Sequence, residues 1–76
     1  MTREEFVEVL RDVLDWHAAG FNEFTTLRGH EKWDSVGLLS TLTLIDEELG
    51  IVLSSKALDS VNTVGDIVGL VEGKLS

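Results

Sequence analysis

The chain has no cysteine, which removes a disulfide framework, a thiolate nucleophile and any cysteine-based metal site. Thiol chemistry, if the protein takes part in any, has to come from a cofactor. Cations are scarce as well: six Lys and Arg stand against fourteen Asp and Glu, a formal charge of −8 at pH 7. Such a surface repels a nucleic-acid backbone and an anionic membrane at long range, so the expected partners carry basic patches. The two histidines, His17 and His30, lack the spacing of a zinc motif, and no metal site is expected. No apolar run approaches the roughly 20 residues that span a bilayer, so no membrane insertion is expected. The opening Met1-Thr2-Arg3-Glu4-Glu5 has neither the basic nor the apolar stretch of an export signal. A cytoplasmic location is the expectation.

What is there suffices for a core: 43% of the 76 residues are hydrophobic. A chain of this length makes one domain, residues 1–76, and buries only about 60% of its unfolded surface. That leaves little area for an enclosed active site, and favours a module over an enzyme. No catalytic residues are expected, since no nucleophile, base and orienting group can be assembled around any motif.

Thr2-Arg3-Glu4-Glu5 reads as a capping box opening a helix at Arg3. Phe6, Val9, Leu10, Val13, Leu14 and His17 follow its inward face for roughly four turns, and Gly20 is the expected stop. Residues 21–34 show no period and form a loop of about fourteen residues, longer than helix connections usually are. Phe21, Phe24, Leu27 and Trp33 are its candidate anchors. Asp34 and Ser35 are capping residues before a central helix that ends at Leu49-Gly50. Leu38, Leu42, Ile45 and Leu49 are spaced 4, 3 and 4 and are expected to face the core. Val36, Ser40, Thr43 and Glu47 share the opposite face, flanked by Leu39 and Asp46, and look like a docking surface. Ile51-Val52-Leu53 is expected as a buried connector. Ser54 caps a short helical turn through Asp59 or Ser60, with Ala57, Leu58 and Val61 inward. Thr63-Val64-Gly65-Asp66 repeats the capping logic for a last helix carrying Val64, Ile67, Val68, Val71 and Leu75. The fold class is all-α, a small four-helix bundle with three main helices and one short one.

Trp33-Asp34-Ser35-Val36 has a second meaning. A serine at a helix N-terminus is reachable, and the free N–H groups and helix dipole favour negative charge there, as on a phosphate. This stretch, the run from Leu42 to Ile51 (LTLIDEELGI) and Asn62-Thr63-Val64-Gly65-Asp66 together resemble the acyl carrier proteins of the phosphopantetheine-dependent carrier superfamily. The likeness covers nearly the whole chain. It implies an acyl-carrier-like fold and a covalent 4'-phosphopantetheine on Ser35, placed there from coenzyme A by a separate phosphopantetheinyl transferase with magnesium. Asp34 would support that serine. The arm's thiol would hold acyl groups as thioesters for lipid or specialised-metabolite synthesis, with the chain acting as a monomeric, stand-alone carrier. Enzymes that activate and transfer acyl or aminoacyl groups would dock by basic patches on Val36, Leu39, Ser40, Thr43, Asp46 and Glu47.

The sequence departs from the fatty-acid pattern at Gly37 and Ser40, where that group usually has acids, and at Val36, where it has leucine. Arg28, His30 and Lys32 stand in the loop before the serine, where the family is often neutral or acidic; they could shield a phosphodiester, alter the choice of transferase or simply be solvated. Two alternatives stand beside the acyl carrier: an aminoacyl or peptidyl carrier of a nonribosomal or alanylation pathway, and a helical interaction module without cofactor.

Overall fold

The computed structural model describes all 76 residues, Met1–Ser76. The first helix, α1 (Arg3–Val13), starts where its capping box requires. The Thr2 hydroxyl accepts from the Glu5 N–H at 3.1 Å, and the Glu5 carboxylate accepts from the Thr2 N–H at 2.9 Å. It buries Phe6 and Leu10 completely, and Leu14 at its C-cap. The helix is shorter than its periodicity suggests. Asp15 takes a left-handed backbone, φ +55°, an uncommon conformation for a side-chain-bearing residue that ends the helix well before Gly20. The reversal brings Trp16 into the core and leaves His17 exposed, opposite to the expected inward His17.

The long connection runs over the last helix instead of hanging free. Leu27, fully buried, is its anchor, while Phe21 and Trp33 are half-buried against the core. Phe24 is not an anchor: it is 89% exposed, because the turn at 22–25 is held by polar bonds, the Thr25 hydroxyl accepting from the Asn22 N–H and the Asn22 carboxamide oxygen accepting from the Phe24 N–H. Backbone bonds staple the loop to the start of the last helix, Leu27 N–H to Asn62 O at 2.7 Å, Val64 N–H to Thr25 O at 3.0 Å and Gly65 N–H to Glu23 O at 2.7 Å. One isolated antiparallel bridge, Thr26 with Thr63, is all the β structure there is. These bonds satisfy backbone groups that a buried loop would otherwise strand.

The central helix, α2 (Ser35–Leu49), ends at Gly50 in a left-handed cap. Its core face is rotated from the expected stripe. Gly37, Thr41, Leu44 and Ile45 are buried, whereas Leu38, Leu42 and Leu49 are half-buried. Thr41 can sit inside because its hydroxyl donates to the Gly37 carbonyl at 2.8 Å. The segment 51–53 is only half-buried, and Val52 is 85% exposed. A short α3 (Ser55–Asp59) follows, with Leu58 and then Val61 inward; Ser54 is its N-cap by position but makes no side-chain bond. Finally α4 (Val64–Val71), with its own Thr63/Asp66 capping box, buries Val64, Ile67, Val68 and Val71, and a 3-10 turn (Glu72–Lys74) carries the chain to a half-buried Leu75. Full burial of each such side chain contributes about 1.5–3 kcal/mol, which offsets the cost of the two glycines inside α4. The result is a small helical domain of four α-helices, 27 × 24 × 17 Å, without strands.

Candidate functional site

The corner between the loop and α2 is built from Asp34 outward. Its backbone is extended, φ −108° and ψ −170°, and its carboxylate accepts from the Gly37 N–H at 2.8 Å. The Asp34 carbonyl accepts the Leu38 N–H at 2.9 Å. Ser35 is therefore the first residue of the helix, exposed, and its hydroxyl makes no hydrogen bond within the chain. The N–H groups of Ser35 and Val36 also have no internal partner. An oxygen reachable by solvent thus stands beside free donors at the positive end of a 15-residue helix.

Gly37 has a role that its lack of charge did not reveal. A Cβ there would overlap the Lys32 carbonyl oxygen and crowd a Leu14 methyl. The loop crosses α2 at this point, so an acid could not stand here without displacing it.

The expected docking residues lie mostly together, but not on the far side of α2. Val36 is 71% and Leu39 60% exposed, Thr43 and Glu47 are exposed, and Ser40 is half-buried. These five form one wall of a groove of about 560 Å³ whose other wall is Val9 and Val13 of α1. Leu44 floors it, and Glu48 joins Glu47 at the acidic end. Asp46, exposed, is outside the groove. Thr43 turns its hydroxyl back onto the Leu39 carbonyl at 3.1 Å, so it offers its methyl rather than a donor. A smaller pocket of about 200 Å³ shares Val13, Val36 and Ser40 and reaches Asp34, continuing the groove to the cap corner.

The three basic loop residues are engaged elsewhere. Arg28 donates to the Asp59 carbonyl at 3.0 Å, tying the loop to α3. Lys32 lies 3.5 Å from the Asp15 carboxylate, which also holds His17 at 2.7 Å. His30 stacks on Trp16, ring centroids 3.8 Å apart. None hydrogen-bonds Ser35 or Asp34. Trp16 has no periodic signal in the sequence, because its burial follows from the left-handed turn at Asp15. No family model, no curated protein and no solved structure matches the chain.

Proposed function

We propose that this chain is a carrier protein of the acyl-carrier-like four-helix kind, bearing 4'-phosphopantetheine on Ser35, and that it is not itself an enzyme. The observation that carries the reading is the state of Ser35: first residue of α2, exposed, its hydroxyl free of internal bonds and backed by the Asp34 cap. In the modification the Ser35 oxygen forms a bond to phosphorus, the pyrophosphate bond of coenzyme A breaks, adenosine 3',5'-bisphosphate leaves, and the serine proton passes to a base of the transferase. The residues fit the product, since the phosphodiester would sit where unpaired N–H groups and the helix dipole favour negative charge. The arm would supply a thiol, which the cysteine-free chain lacks, and with it a thioester link to acyl or aminoacyl cargo. Ser35 has no hydrogen-bonded base with which to act alone, which supports a passive role in the transfer.

The exposed wall of α2 supports docking by partner enzymes. Asp46, Glu47 and Glu48 crowd its last turns, with no basic residue there, against the helix dipole, which disfavours anions at a C-terminus. Charges held where they weaken the helix suit a face that steers a basic partner. The groove between α1 and α2 also favours a second reading, a helical module that takes a partner's amphipathic segment without any cofactor.

Intact mass after incubation with coenzyme A, magnesium and a phosphopantetheinyl transferase separates the two. The carrier reading expects the mass of one phosphopantetheine on the wild type and none on Ser35→Ala. A wild type that stays unmodified refutes it and leaves the helical module.

A further inference from the structure

The corner that presents Ser35 is held from behind by a relay of contacts beginning at the end of α1. Asp15, in its left-handed conformation, turns the chain so that the Trp16 backbone N–H reaches the Arg11 carbonyl at 3.1 Å and Trp16 is only 9% exposed. The His30 ring lies on that indole, centroids 3.8 Å apart and planes 24° from parallel. His30 Nδ1 accepts the Lys32 N–H at 3.0 Å, while the His30 backbone carbonyl accepts the Trp33 N–H at 3.0 Å. The next link is steric: the Lys32 carbonyl oxygen sits against the Cα of Gly37, where no Cβ would fit. Gly37 in turn gives its N–H to Asp34 at 2.8 Å. Every link from Trp16 to the cap is thus a named bond, stack or close approach.

Few side chains can make both of His30's contacts. A flat face for the indole and an in-plane acceptor one atom beyond Cγ, close enough to bond an N–H two residues on, belong together only in neutral imidazole. Phenylalanine supplies the face alone, and asparagine the acceptor alone.

We propose that His30 is a positioning residue for the modification of Ser35: stacked on Trp16 and bonded to the Lys32 N–H, it fixes residues 30–34 so that Asp34 caps α2 and Ser35 stands at the helix start. The proposal rests on the carrier reading. It acts through the loop and touches no reacting atom, so losing it disturbs the geometry of the transfer rather than encounter with the transferase.

The test compares His30→Phe, which keeps the stack and loses the acceptor, with His30→Asn, which keeps an acceptor at the equivalent atom. Two quantities are measured on each: kcat and KM for phosphopantetheine transfer to the full chain, and hydrogen exchange of the Gly37 amide by NMR. The expected result for His30→Phe is a kcat lower by about tenfold at unchanged KM, with faster Gly37 exchange. His30→Asn, which returns the acceptor without the stack, is expected to stay below the wild type in kcat and above it in Gly37 exchange. Wild-type kcat and Gly37 exchange in either variant would overturn the proposal while leaving the carrier reading intact. A wild type that accepts no phosphopantetheine would overturn the carrier reading and this role with it.

Discussion

Three glycines stand inside α-helices, and a methyl group added at each would meet something different. At Gly69 it meets nothing within 4 Å, so Gly69→Ala keeps the gain in helix propensity and should stabilise the protein by about 1 kcal/mol. At Gly65 it would stand 3.0 Å from the Glu23 carbonyl oxygen, tight enough to strain the loop staple. At Gly37 it would overlap the Lys32 carbonyl oxygen, which is backbone and cannot swing aside. Overpacking costs about 1–3 kcal/mol, and overlap with a backbone oxygen falls in the upper part of that range, above the propensity gain of about 1 kcal/mol, so Gly37→Ala should be the destabilised one. Urea denaturation of Gly69→Ala and Gly37→Ala checks this, and midpoints shifting in the same direction would refute it. In the sequence a helical glycine reads as lost propensity, or at Gly37 as a missing acid. The close approach depends on a loop residue with no periodic relation to the helix, so it could only be seen in three dimensions.

Elements whose signals are local were legible. The boxes at Thr2/Glu5 and Thr63/Asp66 need only four consecutive residues, and both form. The Asp34 cap and the exposed Ser35 follow from the same short-range chemistry. The face of α2 was legible only in part. Ile45 is buried and Leu38, Leu42 and Leu49 pack half-buried against the core as expected, but Val36, Leu38, Leu39, Leu42, Leu44, Ile45 and Leu49 leave few sides without an apolar residue, so the centre of the buried face did not show. What selects Gly37, Thr41, Leu44 and Ile45 is the loop crossing at Gly37 and the internal bond of Thr41. The boxes also set an acid response. N–H groups of Asn62 and Thr63, bonded at 2.9 and 3.0 Å, hold the Asp66 carboxyl below its ordinary pKa, and the Thr2 N–H does the same for Glu5. A pKa lower in the folded than in the unfolded chain adds stability that is complete above the ordinary carboxylate range and is lost as pH falls through it toward the folded value. The gap in urea midpoint between the wild type and Asp66→Asn should therefore close as pH is taken from about 7 to about 3, whatever the repulsion common to both chains does to their absolute midpoints. An equal acid slope in the variant would show that the box contributes nothing to acid sensitivity.

Across the whole molecule, charge works against compactness. Arg3 joins α1 to Glu23 of the loop at 2.6 Å and to Glu72 of the terminal turn at 3.1 Å, and these bonds raise its pKa, the Glu23 hydrogen bond most. Such exposed pairs are worth about 0–1 kcal/mol each. Arg11 and Lys32 are also paired with nearby acids, yet the net charge of −8 leaves many acids uncompensated. The screening length is about 30 Å at 0.01 M salt and about 8 Å at 0.15 M, while the longest dimension of the protein is 27 Å. At low salt every uncompensated acid repels every other across the molecule, and at the higher salt only neighbours do. Tm should therefore rise by a few degrees between these two concentrations, since about 1 kcal/mol corresponds to roughly 4–8 °C in a domain of this size. Replacing Asp46, Glu47 and Glu48 by their amides should shrink that rise. A fall in Tm with salt would mean that the ion pairs around Arg3 outweigh the repulsion. If the acidic end of α2 steers a basic partner, the association rate must fall over the same range in which Tm rises, because one screening length weakens both the repulsion within the chain and the attraction between chains.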